Sequence, residues 1–493
     1  MMARMGKVAL VVAALGMANV VRAEAEEPSS AKRPETVCLG TETDAERTAR
    51  MAWWTQARFG MFIHFGLYSV PARGEWIKMR ERIPESKYDK YFRSFNPDLF
   101  DAKEWARSAK AAGMKYVVLT AKHHEGFCLW DSRFTDYKIT NTPFKRDLVK
   151  EFCEAVRAEG LRVGLYYSLI DWHHPDFTID NHHPLMPDGC KPGNARNTVG
   201  GEETWSRINA GKDMSRYQQY MKDQLGELLT DYGRIDIVWL DFSYDRGDGH
   251  GKTSADWDSE GLLRYARSIQ PWIIVNNRLG LTDTADGWDF VTPEQFRVVK
   301  WPTVKDVRVP WETCQTFSGS WGYARDEATW KDVPELISLL VHSVSKGGNL
   351  ILNVGPTARG KLDARARSRL ESYSKWMEYN SRSIYGCTEA PSCFTAPENT
   401  ILTYNPDYNR LYVHLLVYPG RRLACSFGER IDFVQFLHDA SEIKFEFHGE
   451  REEQNQTFYK SGCEGVSYFL LPELRPNIIN PVLEIFLKQP KKK

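Results

Sequence analysis

Two carboxylates, Asp241 and Glu294, stand where a strand or short apolar run ends. Asp241 closes Val238-Trp239-Leu240, so a buried strand delivers its carboxylate at the end. A carboxylate placed there can act as a nucleophile, or it can merely cap a following helix. Glu294 follows Phe290-Val291 within Thr292-Pro293-Glu294, where it can donate and accept a proton or make an N-cap contact. Other polar groups fall at similar places. His64 follows a first strand, His123 and His124 a second, Tyr166 and Tyr167 close a third, and Asn276, Asn277 and Arg278 end another. The His123-His124 pair reads three ways: as buried structure, as half of a metal site, or as donors and acceptors for a neutral sugar. Asp180-Asn181-His182-His183-Pro184 reads as a flexible loop and a minor candidate for ligand or metal contact.

The elements that must position these groups alternate. Phe59 to His64 is a short apolar strand. Asp101-Ala102-Lys103-Glu104 has the form of a capping box with Asp at the cap, opening a helix that runs to Gly113. Tyr116 to Thr120 is β-branched and apolar. Leu148, Val149, Phe152 and Val156 share one face of a helix that Gly160 stops, and Leu161 to Tyr167 is the next strand. The beat continues with helices at Met214 to Tyr232, Ser259 to Ile269 and Val333 to Ser345. Strands are expected at Ile235 to Leu240, Ile273 to Val275 and Asn349 to Val354. Repeated strand-then-helix units imply a parallel sheet, and in a chain of 493 residues a (β/α)8-like barrel is the leading form. A doubly wound open sheet is the alternative, but no glycine fingerprint follows a first strand. In a barrel, chemistry gathers just past the C-terminal strand ends, where the polar residues above fall.

After residue 388 the pattern changes to short β-rich runs at Thr400 to Tyr404, Arg410 to Val417, Phe433 to Leu437 and Ile443 to Phe447. Turns of Asn, Asp, Pro and Gly separate them, which reads as an antiparallel β-sandwich. The expected organisation is a signal peptide at 1–25, a linker at 26–45, a catalytic barrel at 46–387 and a sandwich at 388–493. Arg4 and Lys7 precede the apolar stretch Val8 to Val21, and Ala23 and Ala25 offer cleavage positions. Export to periplasm or medium follows, with no stable membrane insertion after cleavage. Lys+Arg and Asp+Glu number 65 each, a formal net charge of zero, which argues against a nucleic-acid partner. The 16 Trp residues suit stacking on sugar rings as well as an ordinary core. Of the nine cysteines, Cys128 and Cys153 read as small buried hydrophobes, and Cys387 and Cys393 are near enough in sequence to pair.

Taken together, the segments resemble the α-L-fucosidases of glycoside hydrolase family 29. The likeness runs from Trp53-Trp54 to about Gly386. It includes Arg58-Phe59-Gly60-Met61-Phe62-Ile63-His64-Phe65-Gly66, Lys122-His123-His124-Glu125-Gly126-Phe127 and Gly164-Leu165-Tyr166-Tyr167-Ser168. It continues through Trp239-Leu240-Asp241, Trp311-Glu312-Thr313-Cys314, Ser320-Trp321-Gly322-Tyr323 and Ser345-Lys346-Gly347-Gly348-Asn349. The resemblance implies a (β/α)8-like barrel with a C-terminal sandwich and release of terminal α-L-fucose with retention. It implies Asp241 as nucleophile and Glu294 as acid/base, with Glu312 the rival for the second role. Retention needs a carboxylate that forms a glycosyl ester and a second group that protonates the leaving oxygen and then activates water. By the same resemblance His64, Glu75, Trp76, His123, His124, Tyr166 and Arg278 would contact sugar hydroxyls, and Trp239 would line the sugar site. Phe62 and Trp321 would form the niche for the fucose methyl, and Glu312 would complete the substrate contacts. The partner implied is a fucosylated glycan, with no cofactor and no metal. Phe242-Ser243-Tyr244 departs from any fixed pattern and is expected to shape the leaving-group side.

Overall fold

The alternation read from the sequence becomes a parallel sheet in the computed structural model, which describes residues 42–187, 201–244, 251–281, 287–447 and 466–489, all within the unit Thr36–Lys493. The expected signal segment, and the expected linker up to residue 41, lie outside the described residues. The first strands are β1 (Phe59–Ile63), β2 (Tyr116–Lys122), β3 (Arg162–Ser168), β4 (Ile237–Asp241) and β5 (Ile274–Val275). A small hairpin of β6 (Thr303–Val304) and β7 (Val307–Arg308) precedes β8 (Glu312–Thr316) and β9 (Asn349–Val354). The parallel sheet has the order β5-β4-β3-β2-β1-β9-β8.

Residues 290–294 close this sheet into a barrel. They bridge Asn276 at Phe290, Trp311 at Val291 and Cys314 at Glu294. Glu312 N–H donates to Val291 O at 3.0 Å, and Cys314 N–H donates to Pro293 O at 3.1 Å. Pro293 has no N–H of its own, so the eighth stave is a chain of bridges instead of a regular strand.

Side-chain parity sorts the barrel into two cores. Met61, Leu119, Leu165, Leu240 and Leu352 face outward, into the core shared with the helices. Phe62, Val118, Tyr166, Trp239 and Ile351 point inward and pack on one another. Strands buried on both faces read as continuous apolar runs, which is why the sequence showed them. Inward packing has little space to spare. A Cβ at Gly60 would lie 2.2 Å from the Tyr116 ring, so the glycine is what admits that ring to the interior.

Helix Asp44–Ala57 closes the N-terminal end of the barrel. Its Trp54 packs on Phe290 at 4.8 Å between centroids, and its carbonyl accepts from Asn349 Nδ2 at 2.9 Å. It begins inside the stretch expected to be linker, because Thr43 and Glu46 form a capping box there. Asp101 caps helix Ala102–Ala111, accepting from Lys103 and Glu104 N–H groups. The other half of that box is missing, since the Glu104 carboxylate pairs with Lys361 instead.

The C-terminal strands are β10 (Thr400–Asn405), β11 (Arg410–Leu415), β12 (Arg422–Cys425), β13 (Ile431–Phe436), β14 (Phe445–Phe447), β15 (Ser467–Leu470) and β16 (Val482–Leu487). They form two antiparallel sheets, β10-β11-β16-β13 and β12-β15-β14, around Leu411, Val413, Phe427, Phe469 and Ile485. The buried Arg58 guanidinium holds the chain just before this layer by donating to Cys387 O and Gly347 O, each at 2.7 Å, and Trp376 Nε1 donates to Ile479 O at 2.9 Å. Cys387 and Cys393 are both free thiols, so the pairing considered from sequence is not made. The Cys387 thiol instead donates to Arg382 O at 3.3 Å, while Cys393 is exposed.

Candidate active site

The inward positions turn polar at the C-terminal ends of the strands. His64 continues the Phe62 face of β1, Asp241 the Ile237 and Trp239 face of β4, and Asn353 the Ile351 face of β9. His64 and Asp241 meet around one cavity, and Asn353 stands behind His64. The cavity wall includes Phe62, His64, Glu75, Trp76, His123, His124, Tyr166, Trp239, Asp241, Arg278, Glu294 and Trp321, together with Phe242 and Cys314. Twelve positions singled out from sequence are therefore brought to one place, and Glu312 is not among them.

One guanidinium joins the two candidate carboxylates. Arg278 Nη1 donates to Asp241 Oδ1 at 2.9 Å, and Nη2 donates to Glu294 Oε2 at 2.6 Å. The Arg278 plane also lies over the Trp239 ring, 4.6 Å from its centroid, and Nε donates to Thr292 Oγ1 at 2.9 Å. A planar fork with several fixed donors can serve both carboxylates at once. The two differ in access: the Asp241 side chain is 10% exposed and that of Glu294 39%. Tyr166 O–H donates to Asp241 Oδ2 at 2.9 Å. Burial raises the Asp241 pKa above the usual carboxylate range, partly opposed by Arg278 and assisted by the Glu294 charge.

Burial holds the histidines neutral, and the partners of His64 and His124 fix their tautomers. Asn353 Nδ2 donates to Trp321 O at 2.7 Å, so Asn353 Oδ1 accepts from His64 Nδ1 at 2.6 Å. Ser168 Oγ donates to Ile170 O at 2.7 Å, so it accepts from His124 Nδ1 at 2.6 Å. Burial pulls His64 down to about 3 and His124 well below its ordinary value. Each ring therefore keeps Nε2 as an acceptor for a ligand hydroxyl. His123 stacks on Tyr166, and its buried Nδ1 has no hydrogen-bond partner among the described residues. Glu75 is buried and accepts from Gly322 N–H at 2.8 Å. Burial raises its pKa. Trp76 packs edge-on against His124 at 4.7 Å between centroids.

Glu312 has a different setting. It begins β8, so its inward side chain sits at the opposite end of the barrel from the cavity. It is fully buried and accepts a hydrogen bond from Tyr116 O–H. The Trp54 and Trp239 indoles approach it outside ordinary hydrogen-bond geometry and favour its charge. Burial outweighs them and pushes Glu312 up to about 7. The structure does not bring Glu312 to the cavity with the other expected contacts: it stands at the start of its strand, where the barrel's other end lies. No group of three or more His, Cys, Asp or Glu among the described residues is arranged to hold a metal ion.

Residue types without obvious chemistry also build the site. Asn276 takes the place of a missing strand neighbour: its Oδ1 accepts from Leu240 N–H and its Nδ2 donates to Leu240 O, at 2.9 and 2.8 Å. That clamps the peptide next to Asp241. Phe242, just past it, holds φ at 152°, a conformation non-glycine residues seldom adopt. The expected flexible loop at Asp180 is buried: Asp180 pairs with Lys252 at 2.7 Å, and His182 packs on Phe242 and Tyr244. This segment braces the cavity wall.

A (β/α)8 barrel with two carboxylates and an aromatic floor at its C-terminal strand ends defines a barrel glycoside hydrolase. A sequence model described as alpha-L-fucosidase matches residues 29–382. The chain belongs to that family, glycoside hydrolase family 29. The plasma alpha-L-fucosidase of Homo sapiens is 32% identical over 358 residues, covering 68% of this chain and 69% of that protein. Alpha-L-fucosidase isoenzyme 1 from Paenibacillus thiaminolyticus superposes with a TM-score of 0.79 at 38% identity, covering 90% of this chain and all of that one. A trapped covalent intermediate of a family 29 alpha-L-fucosidase from Bacteroides thetaiotaomicron, in complex with 2-fluoro-fucosyl fluoride, has a TM-score of 0.74 at 26% identity, over 92% of this chain and 98% of that one.

Proposed function

We propose that this chain removes terminal α-L-fucose from glycans with retention, using Asp241 as nucleophile and Glu294 as acid/base. The observation that carries the assignment is the unequal exposure of two carboxylates on one Arg278 fork. A nucleophile belongs at the buried floor, beneath the anomeric carbon. The acid/base belongs at the mouth, where the leaving group departs and water enters.

In the first step an Asp241 oxygen attacks the anomeric carbon as the bond to the leaving oxygen breaks. The Glu294 carboxyl gives its proton to that oxygen, and a β-fucosyl ester of Asp241 results. In the second step Glu294, now a carboxylate, takes a proton from water. The water oxygen attacks the anomeric carbon, the ester bond breaks, and Asp241 regains its charge. Arg278 and Tyr166 favour the ionised Asp241 that both ends of this cycle require. The neutral His64 and His124, with His123, Glu75 and Trp76, address sugar hydroxyls. Trp239 lines the ring, and Phe62 and Trp321, with ring centroids 6.2 Å apart, offer an apolar niche to the methyl group. Both steps are complete without a cofactor. Residues 1–25 are proposed to direct export, placing the enzyme in the periplasm or medium.

The test is hydrolysis of para-nitrophenyl α-L-fucoside by the purified chain, with and without chelator, followed by NMR of the first-formed sugar. α-Fucose released at an unchanged rate supports the reading. β-Fucose released first would make the enzyme inverting and remove Asp241 from the nucleophile's role.

A further inference from the structure

The deep cavity opens into a second, wider space. A wider cleft shares Glu75, Trp76, Glu294 and Trp321 with it. Beyond those four it is lined by Gln295, Ser318, Thr329, Trp330, Lys331 and Glu335, among others. The position of Glu294 gives this space a meaning. The group that protonates the leaving oxygen must border the leaving group, and Glu294 stands on the boundary between cavity and cleft.

The cleft wall has the chemistry of a sugar-binding surface. Trp330 is half-buried and rigid: its indole N–H donates to Glu327 O at 3.1 Å, and Arg365 and Arg369 pack on its ring at 4.5 and 5.1 Å. Neither arginine lines the cleft, whereas Trp330 does. Lys331 is spent on the protein, donating to Thr316 O at 2.8 Å. Arg80 and Lys331 on this wall are set against Glu75, Glu294 and Glu335. A wall with a fixed indole, hydroxyls and a carboxamide, and with charges of both signs, suits a neutral oligosaccharide more than an anionic one.

We propose that this cleft is the leaving-group subsite, that it takes a neutral oligosaccharide of two or more sugars, and that Trp330 is its stacking platform. The proposal rests on the fucosidase reading above. It places the leaving group on the Gln295–Trp330 side, not beside Phe242-Ser243-Tyr244, where the chain's sequence had suggested it. The Phe242 and Tyr244 rings are instead packed against His182.

The experiment compares kcat/KM for α-L-fucosyl fluoride with a substrate series. In the series, fucose is linked α-1,2, α-1,3, α-1,4 or α-1,6 to a monosaccharide, or to the same sugar within a neutral tetrasaccharide. The expected result is a tenfold or greater preference for the tetrasaccharide in at least one linkage. Trp330→Ala should cut the ratio of tetrasaccharide to fucosyl fluoride kcat/KM by tenfold or more. A wild-type measurement covers a variant that fails to fold: the neutral tetrasaccharide should act as a saturable acceptor of fucose from fucosyl fluoride, and the monosaccharide should not. Hydrolysis of fucosyl fluoride with no effect of leaving-group length, or with no linkage cleaved, would overturn the cleft proposal and spare the fucosidase reading. Failure to hydrolyse fucosyl fluoride as well would overturn both.

Discussion

Asp241 and Glu294 are held by the two terminal nitrogens of Arg278, at 2.9 and 2.6 Å, although they lie on strands that are not neighbours in sequence. Asp241 ends β4, and Glu294 sits on the irregular stave that closes the barrel between β5 and β8. The arginine, three residues past β5, spans the seam. The chemical pair therefore depends on barrel closure, and the arginine's charge acts on both members.

That charge sets the acid limb of activity. Burial raises the Asp241 pKa and Arg278 lowers it, so the free enzyme should lose kcat/KM on acidification from a pH above the ordinary aspartate range. Arg278→Gln removes the lowering contribution, and the acid limb should move to still higher pH. The maximal kcat/KM should fall by about 100-fold or more, as for loss of a preorganised electrostatic group. A pH profile of the variant with an unmoved acid limb would count against this coupling.

The two carboxylates should answer azide with opposite stereochemistry. Asp241→Ala leaves a space at the floor, and azide attacking there should give β-fucosyl azide. Glu294→Ala leaves the ester to form from an activated substrate, and azide entering at the mouth should give α-fucosyl azide. Each variant should lose about 10³-fold or more in kcat on unactivated glycans. NMR of the azide products distinguishes the roles, and one anomer from both variants would refute them.

The sequence displayed most of this site because barrel parity is simple. Strands such as Asn349–Val354 are buried on both faces, and polar residues just past such runs stand out, as His64 and Asp241 do. The closing stave was harder to see. Its Phe290-Val291 is too short to declare a strand, and Pro293 interrupts its ladder, so only tertiary bridges to Trp311 and Cys314 reveal it. Asn353 and Ser168 were hidden for another reason: they act on a histidine, and their types announce no chemistry. Asn276 stood out as a polar strand end, but its grip on the Leu240 backbone did not. Glu312 misled because inward positions at both ends of a barrel strand can be polar. Its place at the start of β8, two residues before Cys314 on the same face, decides which end it serves.

Glu312 accordingly belongs to stability. Its folded-state pKa of about 7 exceeds the ordinary 4.5, so the folded protein holds a proton that the unfolded chain releases. The stabilising contribution is complete below pH 4.5 and is lost as pH rises through 7. The difference is about 3 kcal/mol over that window. Glu125, also pushed up to about 7 by burial, acts in the same direction. Glu312→Gln should therefore keep kcat within about tenfold of the wild type, far from the loss expected for an acid/base. Its Tm should decline less between pH 5 and 8. Azide-rescuable loss of activity in this variant would restore Glu312 as a catalytic candidate.

Asp289 fixes the stave on which Glu294 rides. It is fully buried, accepts from Arg50 at 2.6 Å and from Arg267 at 3.2 Å, and accepts from Val275 N–H at 2.8 Å. These partners come from helix Asp44–Ala57, helix Ser259–Ile269 and β5, so one carboxylate ties three elements to the closing segment. The surrounding arginines hold its pKa below the usual value despite burial. Its stabilising contribution is therefore present above the ordinary aspartate pKa and is lost as acid protonates it in the fold. Asp289→Asn keeps the size but leaves buried arginines short of their counter-charge, which should cost about 3–5 kcal/mol at neutral pH. Denaturant unfolding at pH 7 checks the magnitude, and the same experiment near pH 3 should show a smaller gap between variant and wild type. An equal gap at both values would mean that Asp289 contributes through packing and not through its charge.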